Sequence, residues 1–265
     1  MTEPAIPVDA STVILVRHGQ PVGTPWECYM IRRPVRSDFA ADVYVFPGGK
    51  VDPEDRNPSL ARHVHLDAWL DLSAEGGDEA RALRVAATRE LFEEVGILLA
   101  GDDHGPVRTE LLETAEYETV RQDVIAGRVG FDDFLLRHNL TLELDMLHPF
   151  ARWITPRELP RRYDTRFYVA LLPGSQVPQP DRSEAPEGLW VSPNEALRRH
   201  DSATFPLVFA TKMNLERMAR YRSPEQLIAS VAPVDLEPVT PQRVQRGGRE
   251  MFLMPGDEGY AEPSP

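Results

Sequence analysis

Residues 89–97 read Arg-Glu-Leu-Phe-Glu-Glu-Val-Gly-Ile, and this run constrains the chain more than any other. At roughly 100° per residue on a helix, Glu90, Glu93 and Glu94 share one arc, while Leu91, Phe92 and Val95 take the opposite side. Val85, Thr88 and Leu99 extend that apolar side. One face is therefore built for a core and the other concentrates negative charge. Like charges three and four apart destabilise a helix by a few tenths of a kcal/mol per pair. A divalent cation with hard oxygen ligands is the natural compensation. A solvated acidic face is the alternative that the run alone leaves open.

The 265-residue chain is long enough for one large domain or two small ones. Its formal charge of −13 argues against nucleic acid as a partner, because phosphate binding wants a basic footprint. An acidic protein that handles phosphates needs metal ions and a few local arginines. The single cysteine, Cys28, excludes an internal disulfide and fits a reducing compartment, so a cytoplasmic location is expected. Residues 1–10 lack the charge and apolar run of a signal peptide, and residues 262–265 match no retention or peroxisomal address. No stretch approaches the roughly 20 apolar residues of a membrane span, so no membrane partner is expected.

Along the chain, residues 11–17, 27–32 and 43–46 are expected strands, the last stopped by Pro47-Gly48-Gly49. Residues 60–72 suit a short helix, and His63 and His65 are spaced for a strand rather than for shared helical ligation. Residues 79–99 read as one amphipathic helix with Gly96 in its last turn. Residues 108–138 form a second helical region broken at Gly127 and Gly130. Strands are expected at 146–154, 165–172 and 188–191, helices at 193–199 and 205–228, and a closing strand at 250–254. Strands alternating with helices predict an α/β sandwich, with helices on both faces of a mixed sheet and additional inserted and C-terminal helices. The expected organisation is one domain over 11–230, with insertions near 53–78 and 106–145, and a proline-rich extension over 231–265.

Joined together, Phe46-Pro47-Gly48-Gly49 and the run from Ala86 to Ile97 resemble the box of the Nudix hydrolases, G-x5-E-x7-R-E-U-x-E-E-x-G-U. The second half matches at every specified position. In the first half, counting from Gly49 puts Asp55 where the pattern has glutamate, and counting back from Arg89 puts Arg81 there. Forty positions separate Gly49 from Arg89, so about 26 residues are inserted into the box. Asp55 or Glu79 is available to replace the missing glutamate. Such a split box resembles the Nudix branch that includes the mammalian peroxisomal coenzyme A diphosphatase. Ser37, Phe39, His148, the Trp153-Ile154-Thr155-Pro156 segment and residues 161–168 agree with that branch.

The resemblance implies metal-dependent hydrolysis of a diphosphate linked to another moiety, with Mg²⁺ or Mn²⁺ as cofactor. Coenzyme A or acyl-coenzyme A is the first expected substrate; ADP-ribose, NADH and other nucleoside diphosphate derivatives are alternatives. It implies metal ligation by Glu93 and Glu94, with Glu90 as a further ligand or water-activating base and the Gly49 carbonyl as an extra ligand. Arg89 is then an orienting partner for a box carboxylate. Glu184 and Glu187 are candidates for a distant acidic contribution, and Arg161, Arg162 and Arg166 for holding a remote phosphate. Pairing of those arginines with acidic groups is the competing reading. A non-catalytic Nudix regulator is the alternative of a different class, but such modules lose box glutamates and this chain keeps three. A homo-oligomer is compatible with all of this.

Overall fold

The computed structural model describes residues 4–34, 42–65, 72, 76–102, 105–107, 112, 114–174, 176–181, 185–231 and 236–261. The strands, in chain order, are β1 (Val8–Arg17), β2 (Glu27–Arg32), β3 (Tyr44–Val45), β4 (Gly48–Lys50), β5 (Val64–His65), β6 (Ala100–Asp102), β7 (Gly105–Pro106), β8 (Thr141–Glu143), β9 (His148–Ile154), β10 (Tyr163–Leu171), β11 (Glu187–Val191), β12 (Gln242–Arg246) and β13 (Arg249–Leu253). The helices are α1 (Asp78–Val95), α2 (Ala115–Ile125), α3 (Phe131–Arg137), α4 (Pro193–Asp201), α5 (Phe209–Met218) and α6 (Pro224–Ala229).

The main sheet runs β11-β2-β1-β10-β9, with β3 added to β2 and β4 added to β1. Its central pair, β1 and β10, is parallel, and the flanking pairs are antiparallel, so the sheet is mixed. Val13, Ile14, Leu15 and Val16 are all fully buried, because β1 is covered on both faces. On one face Val13, Leu15, Tyr168 and Ala170 pack against Ala87, Leu91 and Val95 of α1. On the other, Ile14, Val16, Phe150 and Val169 share a core with Leu215 and Met218 of α5, Leu227 of α6 and Phe205 from the connection before α5. The result is an α/β/α sandwich.

A second, four-stranded sheet, β5-β8-β6-β7, lies with α2 and α3 on the outer side of α1. Phe92 and Val85 pack there, in a cluster with Tyr117, Phe131 and Phe134. Phe92 stacks on Phe134 with ring centroids 4.9 Å apart. Leu91 and Phe92 are adjacent in sequence and enter different cores, so α1 is enclosed on two sides.

Several local expectations are corrected. Gly96 does not lie inside the helix: it is the C-cap, at φ 68°, a left-handed conformation that glycine adopts without a steric cost. Gly48-Gly49 does not simply stop a strand. With Lys50 it forms β4, pairing Gly48 with Thr12 and Gly49 with Ser11. A Cβ on Gly48 would lie 2.3 Å from the Ser11 carbonyl oxygen, so the pairing depends on the missing side chain. Where a helix over 60–72 is expected, a 3₁₀ turn (Pro58–His63), preceded by another (Pro53–Arg56), leads into β5, with residues 66–71 outside the described residues. Two prolines at the starts of these turns favour short helical pieces. The stretch expected as a closing strand pairs with β12 as a hairpin.

Candidate active site

Helix α1 starts with Asp78 and Glu79 in its first turn, where negative charge complements the helix dipole. Its other end is the more unusual. The last four carbonyls of a helix have no partner within it, and here each finds one outside. The Phe92 carbonyl accepts from the Gly96 amide and from Arg121 Nε, both at 2.9 Å. The Glu93 carbonyl accepts from Arg121 Nη2 at 2.9 Å. The Asp181 and Gln179 amides donate to the Glu94 and Val95 carbonyls at 2.8 and 2.7 Å. Arg121 also donates to the Gln179 carbonyl, which joins α2 to the 176–181 loop. The helix end that carries the glutamates is therefore held by two separate segments of chain.

Arg89 is the hub of the charged face. Its Nε and Nη2 donate to the two oxygens of Asp55, each at 2.9 Å. Nη1 donates to Glu90 at 3.0 Å and Glu93 at 3.2 Å, and Nη2 also reaches the Lys50 carbonyl at 3.0 Å. Burial works against the Arg89 charge, but Asp55, Glu90 and Glu93 together hold its pKa above the ordinary value. Asp55 is itself buried, seated by the 3₁₀ turn after β4, and it accepts from the Asp52 amide at 2.8 Å. Glu79, the other candidate for the missing glutamate, pairs with Arg56 on the surface.

Glu90 lies against Gly49: a Cβ there would fall 2.4 Å from its carboxylate. Burial pushes the Glu90 carboxyl up to about 7, with Arg89 opposing the rise and Glu93 and Asp55 adding to it. Glu94 accepts from the Gly48 amide at 2.7 Å. Glu90 and Glu94 both lie against the Gly48-Gly49 main chain and line the same cavity, and carboxylate and carbonyl oxygens are the hard donors that divalent cations take. The residues present fit such an ion.

Glu90, Glu94, Gly48 and Gly49 line one end of a cavity of about 640 Å³. That volume is within the roughly 300–1,000 Å³ of small-molecule sites. Arg89, Glu93, Arg161, Arg162, Arg166 and Glu187 do not line it, Glu93 being turned to Arg89. Arg162 is buried and donates to the Thr155 and Ala5 carbonyls, Arg166 pairs with Asp164, and Arg161 is exposed. Glu187 accepts from the Tyr44 hydroxyl at 3.0 Å. Glu184, Ser37 and Phe39 lie outside the described residues. Sequence reasoning did not single out Arg121, Phe209 or Phe252, none of which belongs to a motif. His65 of β5, Glu143 of β8 and Asp145 of the 3₁₀ turn that follows bring ligand-type atoms within 4.8 Å of one another.

The NUDT19 Nudix domain family matches residues 73–218, more than half of the chain. The acyl-coenzyme A diphosphatase NUDT19 of Gallus gallus is 28% identical, over 96% of this chain and 80% of the relative. The human protein of the same name is 26% identical, over 89% and 72%. Putative nudix hydrolase 7 of Caenorhabditis elegans is 26% identical, over 88% and 69%. Among solved structures, a NUDIX hydrolase from Alicyclobacillus acidocaldarius superposes with a TM-score of 0.68 at 24% identity, covering 86% of this chain and 97% of that one, and shares the fold. Among the described residues, no helix is long and apolar enough to cross a membrane. With its Arg89–Ile97 run matching the second half of the box and the NUDT19-type domain matched over residues 73–218, from α1 to α5, the chain belongs to the Nudix hydrolases and is a pyrophosphohydrolase.

Proposed function

We propose that this protein hydrolyses the diphosphate of acyl-coenzyme A and coenzyme A, releasing 3′,5′-ADP and an (acyl-)phosphopantetheine, with Mg²⁺ or Mn²⁺ bound by the box glutamates. The observation that carries this reading is the cavity that joins Glu90 and Glu94 to a largely apolar chamber. The names of the relatives in Gallus gallus and Homo sapiens support the same substrate.

Water must attack a phosphorus atom screened by negative oxygens, in a protein that carries net charge −13. A bound divalent cation neutralises those oxygens and lowers the pKa of water. Glu93 and Glu94 would hold it with the Gly49 carbonyl, and Glu90 would ligate or take the proton from the attacking water. Arg89 contacts Glu90 and Glu93 and is anchored by Asp55, so it orients carboxylates rather than substrate. Positioning supplies much of the remainder, because phosphoryl chemistry asks little covalent work of a protein.

A panel of octanoyl-coenzyme A, coenzyme A, ADP-ribose and NADH, each with Mg²⁺ or Mn²⁺, tests the assignment. The expected order puts the two coenzyme A compounds first in kcat/KM. ADP-ribose turned over with both coenzyme A compounds untouched would overturn the substrate, and turnover of none would overturn the enzyme.

A further inference from the structure

The cavity beside Glu90 and Glu94 has walls of sharply different chemistry. Its floor is one face of the main sheet, where the β1–β10 register places Ala10 beside Thr165 and Thr12 beside Phe167, and the β10–β9 register places Trp153 next to Thr165. The start of α5 roofs it with Leu207, Val208 and Phe209. The C-terminal hairpin closes the far wall: Phe252 packs on Phe209 with ring centroids 4.6 Å apart and planes tilted by 31°. Main-chain hydrogen bonds between Val239 and the strand bearing Trp153, at 2.9 Å, tie the approach to the hairpin to the floor.

Among the described lining residues the cations are Arg33, just after β2, and Lys50, beside Gly49. Lys50 stands opposite Ala10 on the β4 edge of the floor, and neither the roof nor the hairpin contributes a cation. Beyond that edge, under α5 and the hairpin, a nucleotide bearing several phosphates would be stripped of water without charged partners, which costs several kcal/mol per uncompensated charge. A neutral amide arm with an alkyl chain gains instead, at about 0.8 kcal/mol per buried methylene.

We propose that this chamber takes the acyl-pantetheine arm of the substrate and that Phe252, on a hairpin outside the matched family domain, is a specificity-determining residue for it. The inference rests on the acyl-coenzyme A reading above and sharpens it. The nucleotide half then leaves the glutamates on the other side, toward solvent. The hairpin selects for the arm by completing an apolar wall that α5 and the sheet leave open.

The test uses the full chain as parent, Phe252→Ala and Phe252→Leu. Octanoyl-coenzyme A serves as substrate and 3′,5′-ADP as product inhibitor. Calorimetry measures binding of S-octanoyl-pantetheine, which has no diphosphate. Phe252→Ala is expected to raise KM for octanoyl-coenzyme A about ten-fold and to weaken S-octanoyl-pantetheine binding by a similar factor, as loss of a buried aromatic anchor does. Inhibition by 3′,5′-ADP should shift less than about two-fold on the same scale. Phe252→Leu should recover most of the affinity, since it restores apolar volume.

Loss of 3′,5′-ADP inhibition with KM unmoved would put the nucleotide in the chamber and overturn the proposal. So would a parent that does not bind S-octanoyl-pantetheine. A parent that binds S-octanoyl-pantetheine in a Phe252-dependent way, yet hydrolyses no coenzyme A compound, would support the chamber while overturning the proposed reaction.

Discussion

Arg89 and Asp55, 34 residues apart, are joined by two hydrogen bonds of 2.9 Å in a buried fork. Asp55 stands where an uninterrupted box would carry glutamate, and the 3₁₀ turn over Pro53–Arg56 brings its shorter side chain up to Arg89. Breaking a buried pair on one side leaves an uncompensated charge and costs about 3–5 kcal/mol. Asp55→Asn should therefore lower stability in urea unfolding by about that amount, and Asp55→Ala by no less. An Asp55→Asn protein as stable as the parent would mean that Glu90 and Glu93 suffice to hold Arg89.

Arg121 acts on the site from a distance, through the Phe92 and Glu93 carbonyls. It is a positioning residue. Arg121→Lys keeps the charge but loses the planar fork that reaches three carbonyls at once. The expected result is a fall in kcat of about ten-fold or more with little change in KM, since a misplacement of about 1 Å is costly to chemistry. A loss of stability with kcat unchanged would reduce Arg121 to a purely structural role.

Gly49→Ala isolates the close approach to Glu90. The backbone of Gly49 is not in the left-handed region, so alanine adds no conformational strain, yet its Cβ falls 2.4 Å from the carboxylate. The carboxylate is the far end of a flexible side chain and can move aside. Thermal stability should change by only about 1 kcal/mol, while Mn²⁺ affinity, read by calorimetry, falls at least about ten-fold. Unaltered Mn²⁺ binding would separate Gly49 from the metal site.

Glu90 makes metal-free stability depend on pH. Its pKa rises from 4.5 to about 7 on folding, so between those values the folded state binds more protons than the unfolded chain. Stability from this group is full below pH 4.5 and is lost as pH rises toward 7, at up to about 1.4 kcal/mol per unit. Glu90→Gln should flatten that slope in chemical unfolding at pH 5, 6 and 7. Cation binding at pH 6 should release a proton, measurable in buffers of different ionisation enthalpy. A parent and a Glu90→Gln variant with the same slope would contradict the assignment.

The charged face of α1 was legible because its period matches the helix, and because like charges so close together demand a partner. That Leu91 and Phe92 enter separate cores was not legible. The second core is made by α2, α3 and the satellite sheet, contacts of long sequence separation that periodicity does not report. Apolar Ile97-Leu98-Leu99 continues the helical pattern one turn past Gly96, whereas the left-handed cap ends the helix at Val95. Counting from Gly49 found Asp55 among two candidates, and only the 3₁₀ turn distinguishes it from Glu79. Phe209 and Phe252 carry no motif, and their pairing depends on a hairpin whose first strand, β12, is mostly polar and charged.

The central claim is that the glutamates of α1 drive cleavage of a coenzyme A diphosphate, and product analysis with Mg²⁺ or Mn²⁺ tests it most directly. The parent should convert octanoyl-coenzyme A into equal amounts of 3′,5′-ADP and octanoyl-phosphopantetheine. Glu93→Gln combined with Glu94→Gln should abolish both products while remaining folded by circular dichroism. Undiminished products from the double variant, or neither product from the parent, would contradict the account.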